Sequence, residues 1–195
     1  ELVAFSDLCV HRGTPISLGT IESDQIVCCY HGWEYDATGK CTRIPSIPDE
    51  HPIPKRACLV KYPVQERYGM IWVCLSETPR QPLPKCPLAE ESSYRLVVQN
   101  KWIWKTGAAR ATENFFDQAH FVFVHSGLLG DKSKPQVSEP RIERDGDVLH
   151  FSVDVPADST HAEPYVRNYT VFRPFTIYQQ KQVPGDRNEV YLNYS

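Results

Sequence analysis

Cys9-Val10-His11-Arg12-Gly13 and, with sixteen residues between His11 and Cys28, Cys28-Cys29-Tyr30-His31-Gly32-Trp33 are the two stretches on which the reading of this 195-residue chain turns. Each supplies one thiol and one imidazole from a short loop. Four thiolates are the usual ligands of an iron–sulfur centre. Replacing two of them by neutral imidazoles on one iron removes negative charge and raises the potential. Two opposed loops suit such a two-iron, two-sulfide centre, because each iron takes two protein ligands and the sulfides fill the middle. Gly13 and Gly32 permit close backbone approach. The same donors would also make a zinc site of two Cys and two His, although zinc spacing alone calls for neither the Arg-Gly nor the Gly-Trp beside the pairs. Cys29 opens a further choice, since Cys29-Tyr30-His31 is itself Cys-x-His; the Cys-x-x-His reading uses Cys28.

The rest of the composition is that of an ordinary globular chain. Hydrophobic residues are 41%, charged residues 23%, and the net charge is −3, which gives no reason to expect a nucleic-acid or membrane partner. No apolar run approaches the ~18 residues of a membrane span, and the N-terminus carries no basic and apolar leader. The chain opens in a strand-like run without a start methionine and stops inside another, so a fragment cut at both ends is expected. Seven cysteines are many for this length. A secreted disulfide scaffold would use them, but the two Cys/His spacings account for two of them better. Cys58 and Cys74 lie in apolar strand-like runs and read as reduced core residues. A reducing compartment, the cytoplasm, follows.

Along the chain, residues 1–75 read as short strands and turns: a β-branched run at 25–30, a hairpin turn at 35–40, and strands at 57–64 and 70–75 joined by 65–69. Pro45, Pro48, Pro52 and Pro54 mark an extended loop. Pro79, Pro82, Pro84 and Pro87 mark a stiff connection, which puts a domain boundary near residue 90. Beyond it, 94–106 reads as strand and 107–121 as helix. Strands are expected at 148–155 after the Asp145-Gly146 turn, and at 166–183, where Pro174 demands an edge strand or two shorter ones. Pro184-Gly185-Asp186 turns into a last strand from Glu189. Trp102 and Trp104 share one strand face and read as core. His51, His150 and His161 read as surface or structural.

A second constellation lies at 113–125. Glu113, Asp117 and His120 share one helical face within about 60°. His125, five residues past His120, falls about 140° away on a straight helix. Both imidazoles reach one metal only if the helix ends or distorts between them, and Ser126-Gly127 suits an unwinding. Two His with a carboxylate on one face of an iron leave positions open for oxygen and substrate. A helix with two ordinary histidines is the alternative.

The first constellation resembles the Rieske domain, with Cys9, His11, Cys28 and His31 as cluster ligands, and specifically its oxygenase branch. Respiratory and photosynthetic Rieske proteins carry an extra, disulfide-forming Cys in each loop; here those places are Thr14 and Tyr30. Trp33 stands where that branch has a small hydroxyl residue, and Cys29 stands where the family usually has Pro. The second stretch, Asp117-x-x-His120-x-x-x-x-His125 with Glu113 and Asn114 ahead, resembles the catalytic motif of Rieske non-haem iron oxygenases. The resemblance continues through residues 62–73 and is similar to vanillate O-demethylases, methylxanthine N-demethylases and phthalate dioxygenase. It implies an α+β chain: an all-β Rieske domain at 1–90 lacking its N-terminal strands, then part of an α+β helix-grip catalytic domain at 91–195. It implies a 2Fe-2S cluster and a mononuclear Fe(II) held by His120 and His125. Asp117 would then not be a ligand, but would bridge the iron of one subunit to the cluster of its neighbour in a homotrimer. The third ligand, an Asp or Glu much further along, has no match among Asp131, Asp145, Asp147, Asp154 or Asp158 and is expected beyond Ser195. The implied activity is hydroxylation or oxidative demethylation of a small aromatic or heterocyclic substrate with O₂. Electrons would come from an NADH-dependent reductase, with or without a ferredoxin. A Rieske ferredoxin is the competing class; it needs only residues 1–75 and leaves 113–125 unexplained.

Overall fold

The computed structural model describes residues 1–98, 102–158, 161–185 and 189–194. The chain divides into two compact units, Glu1–Pro82 and Leu83–Ser195. The division falls inside the second proline-rich stretch.

The first unit is built from short antiparallel pairs. β1 (Ala4–Phe5) reaches across the unit to β6 (Lys61–Tyr62). β2 (Thr20–Glu22), β3 (Gln25–Val27), β4 (Glu34–Tyr35) and β5 (Cys41–Arg43) form a four-stranded meander. β7 (Val64–Arg67) and β8 (Met70–Val73) make a separate hairpin. Gln65, Glu66 and Arg67, expected in a connection, are therefore strand, and only Tyr68-Gly69 turns the chain. The run Gln65-Glu66-Arg67 has the polarity of a loop, but its backbone pairs with Met70, Ile71 and Trp72, and composition does not show that pairing. The core gathers Ile16, Tyr35, Cys41, Ile44, Ala57 and Leu59 around Cys9 and Cys28. Cys58 and Cys74, expected in the core, are only half-buried. Cys41 and Cys86 are buried instead, and no disulfide joins any of the seven cysteines.

The second unit carries α1 (Ala108–Phe116) and the four-residue α2 (Phe121–Val124), then a five-stranded antiparallel sheet. Its strands are β9 (Arg141–Asp145), β10 (Val148–Val155), β11 (Tyr165–Phe172), β12 (Thr176–Gln182) and β13 (Glu189–Tyr194), hydrogen-bonded in the order β13-β12-β11-β10-β9. The proline at 174 separates β11 from β12, and both are interior strands. Asp186, in the expected turn before β13, lies outside the described residues. Phe115 and Phe116 dock α1 on Val153, Tyr169 and Ile177. Phe116, Phe151 and Tyr169 meet edge to face at 5.2–5.9 Å, worth about 0.5–1.5 kcal/mol per pair beyond area burial.

Two expectations fail here. The run 94–106 forms no strand among its described residues, since no neighbouring backbone pairs with it. Trp102 and Trp104 are then 81% and 49% exposed rather than core, although Trp104 stacks on Phe115 at 6.0 Å. The helix expected over 107–121 also breaks. At Asp117 the backbone turns extended (ψ 107), so His120 lies beyond the break instead of on the first helix.

Candidate functional site

The two Cys/His loops fold alike. In the first, the Cys9 N–H donates to the Thr14 carbonyl and the Gly13 N–H to the Cys9 carbonyl, both at 2.8 Å; in the second, Cys28 N–H donates to Trp33 and Gly32 N–H to Cys28, both at 2.9 Å. Each loop closes through a glycine in the left-handed region, Gly13 at φ 74 and Gly32 at φ 68, where a Cβ would strain the turn. Repetition of one loop geometry aims both pairs of donors at one place. Cys9 and Cys28 are 4% and 2% exposed and their thiols lie within hydrogen-bonding reach of each other. The rings of His11 and His31 meet edge to face at 4.6 Å.

The surroundings of these four groups suit a cation-bearing cluster. Burial, then the neighbouring Cys9 thiol, push the Cys28 thiol up. A metal centre that displaces its proton would relieve that cost. Burial, then the nearby His31 and Arg12, lower the imidazole of His11 and favour its neutral, ligating form. His11 Nδ1 is buried without a hydrogen-bond partner, as a nitrogen reserved for a metal would be. Trp33 stacks flat on His11, 4.6 Å between centroids and 6° between planes, and Tyr30 lies over His31 at 3.8 Å. The donor set, two thiols plus two imidazoles from opposed loops, fits the 2Fe-2S group. Among the described residues no three His, Cys, Asp or Glu side chains form a single-metal cage. Cys29 is exposed, which favours Cys28 as the ligand. Sequence reasoning missed Tyr35: fully buried, its hydroxyl sits 3.2 Å from Cys9 Sγ. Its position in a hairpin strand gave no signal of that contact.

In the second unit His120 and His125 bracket α2 as its first and last flanking residues. The single turn between them brings their ring centroids to 5.2 Å. His120 is largely covered, whereas Asp117 is half exposed. Asp117 accepts the Ala119 N–H at 2.9 Å. Its other oxygen lies 3.2 Å from His120 Nδ1, out of hydrogen-bond alignment. Closing that contact would hold the proton on Nδ1 and leave Nε2 for a metal. Glu113, by contrast, is exposed and ion-paired with Arg110. Four of the later carboxylates are engaged elsewhere: Asp131 by Ser133, Asp147 by Arg173, Asp154 by Arg141, and Asp158 by Tyr165 and His161. The two imidazoles fit an open mononuclear iron as an incomplete ligand set.

Comparison with known proteins agrees with both halves. Residues 1–63 match the Rieske 2Fe-2S domain, and residues 104–182 match the vanillate O-demethylase oxygenase C-terminal domain. The chain is 35% identical to methylxanthine N1-demethylase NdmA of Pseudomonas putida over 91% of its own length and 51% of that protein. It is 33% identical to the oxygenase subunit of 3-chlorobenzoate-3,4-dioxygenase of Comamonas testosteroni, over 62% of the chain and 28% of that protein. The structure of NdmA from Pseudomonas putida CBB5 with caffeine superposes on the whole chain with a TM-score of 0.88 at 32% identity, the chain covering 58% of it. The chain thus spans about half the length of these two demethylase matches.

Proposed function

Because the chain belongs to the Rieske oxygenases, with a Rieske domain followed by an oxygenase C-terminal domain, we propose that it acts as the oxygenase component of a Rieske non-haem iron system. The proposed reaction is hydroxylation or oxidative demethylation of a small aromatic or heterocyclic substrate with O₂. The observation that carries this over a Rieske ferredoxin is the pairing of His120 and His125 across one helical turn at 5.2 Å. An electron carrier has no use for it.

On this reading residues 1–90 relay electrons and residues 91–195 are part of the catalytic iron domain. Cys9 and Cys28 would hold one cluster iron, and His11 and His31 the other. His120 and His125 would hold the mononuclear Fe(II), with a third, carboxylate ligand expected beyond residue 195. When bound, these groups supply one-electron transfer and oxygen activation. The chain's own residues do the rest. Burial of Cys9 and Cys28 keeps water from the thiolates. The Trp33 stack and the Tyr30 overlap hold the two imidazole planes. Asp117 would orient His120 once its carboxylate closes on Nδ1, and that half-exposed carboxylate would bridge to a cluster histidine of a neighbouring subunit.

The partners are an NADH-dependent reductase, with or without a ferredoxin, in a homotrimer working in the cytoplasm. Among the described residues no helix is long and apolar enough to cross a membrane. Hydroxylation of a methyl group on oxygen or nitrogen gives an unstable product that releases formaldehyde; ring hydroxylation gives none. The matches to demethylases make methylated heterocycles and methoxylated aromatics the first substrates to assay. The test is the full-length protein with a reductase, NADH and such a panel, with oxygen uptake and formaldehyde both measured. Substrate-dependent oxygen uptake is the expected result. A protein with the cluster but no further iron, and no oxygen uptake with any substrate, would return it to the ferredoxin class.

A further inference from the structure

A buried charge stands behind the two histidines. Residues of β11 alternate across the sheet, and the face that carries Tyr165, Arg167 and Tyr169 is the buried one. Arg167 is 4% exposed, a position where a cation is costly unless its surroundings answer it. Its Nη2 donates to the Tyr165 hydroxyl at 3.0 Å, which donates on to Asp158 at 3.1 Å. Its Nη1 reaches Oε1 of Gln118 at 3.5 Å. The guanidinium lies over the ring of Phe121, 4.5 Å from the centroid, a desolvated cation–π contact. Phe121 in turn touches both imidazoles, His120 at 4.7 Å and His125 at 5.9 Å. Gln118 occupies the break between the two helices, and its Nε2 donates to the Tyr169 hydroxyl at 2.8 Å.

We propose that Arg167 is a positioning residue for the His120–His125 pair, acting through Phe121 and Gln118. α2 is a single turn whose N-cap makes no side-chain hydrogen bond, so it has little stability of its own. The guanidinium fixes it twice from one rigid fork: by charge over the ring of its first residue, and by a hydrogen bond to the amide that spans the break. Loss of that fork would free α2 to fray and would let the imidazoles leave their mutual geometry. The inference rests on the reading that these histidines hold iron.

The experiment uses full-length protein from which the non-cluster iron has been removed by mild chelation, with Fe(II) added back. Affinity is measured by titration while the visible absorbance reports the cluster. Arg167→Met, which keeps bulk and removes the fork, is expected to weaken Fe(II) binding about 10- to 100-fold with cluster absorbance unchanged. Arg167→Lys keeps the charge over Phe121 without the fork and is expected to fall between Met and wild type. Tyr169→Phe removes one hydroxyl and serves if Arg167→Met does not fold; it should weaken Fe(II) binding several-fold by releasing Gln118. Wild-type affinity in Arg167→Met, or in Tyr169→Phe if only that variant folds, would overturn the proposal. His120→Ala separates the two failures: if wild type and His120→Ala take up Fe(II) identically, the iron reading itself falls, and this inference with it.

Discussion

His120 and His125 differ in their surroundings, and so do the substitutions that test them. His120 is mostly covered and has a carboxylate beside Nδ1, whereas His125 is exposed at the end of α2. Removing the ordered ring should therefore remove the metal. His120→Ala is expected to lose the non-cluster iron and all oxygenation, while the cluster absorbance survives; loss of the cluster spectrum instead would mean that the sites have been exchanged. Asp117 makes a subtler case. Its carboxylate caps the helix break through the Ala119 N–H, so an amide of the same shape keeps the local fold. Asp117→Asn should retain both metal centres yet slow the passage of electrons between them, because the amide is a poorer partner for an imidazolium or an imidazole N–H. Single-turnover rates equal to wild type would remove the bridge. The candidate ligand residues stand out in the sequence because thiol and imidazole donors at fixed short spacings have few other uses. Tyr35, Gln118 and Arg167 do not: each acts across 26 to 51 residues of sequence, and nothing local marks which strand face will turn toward a site.

At the scale of the element, α2 decides whether the second site exists, and the loop after it holds α2 in place. Gly130 sits at φ 73 with Val122 of α2 so close that an added Cβ would lie 2.5 Å from its Cγ1. Gly127, also left-handed at φ 86, has open space where a Cβ would go. Gly127→Ala should therefore cost only the backbone penalty, roughly 1–2 kcal/mol. Gly130→Ala adds overpacking of roughly 1–3 kcal/mol to it and displaces α2, so it should also weaken Fe(II) binding. Equal melting temperatures and equal iron content in the two variants would show that Val122 yields freely. The break before α2 also marks the limit of reading helices from sequence. Alanines and Glu113 favour a helix through Phe121, and the required distortion was expected after His120. The chain instead turns at Asp117, where the Asp carboxylate offers the backbone N–H of Ala119 an alternative to the helical ladder and Gln118 finds Tyr169. Tertiary hydrogen bonds override propensity there. Likewise 94–106 has the composition of a strand but no neighbour to pair with among the described residues, and composition cannot supply one.

At the scale of the whole molecule the two proposed metal sites would differ in how firmly the chain grips them, and that difference can be measured without any substrate. The first site places two nearly inaccessible thiols and two ring-stacked imidazoles around its group. Release of the cluster requires several bonds to break inside a packed core. The second offers two imidazoles, one of them exposed, on a single helical turn, with its third ligand expected from elsewhere in the full protein. Metal sites are stable in proportion to how much folding holds their ligands, so mild chelation of the full-length protein should remove the non-cluster iron first. Oxygen uptake would vanish while the cluster absorbance stayed constant, and Fe(II), but not Zn(II), would restore turnover because zinc has no redox chemistry. Loss of the cluster before the single iron, or restoration by zinc, would contradict the assignment of the two sites. The proposed bridge through Asp117 adds a condition on assembly: it needs a neighbouring subunit. Dilution that drives the proposed trimer to monomers should therefore slow electron delivery to the chelation-sensitive iron without releasing it, whereas a strictly monomeric protein with full turnover would show that electrons reach His120 by a route within one chain.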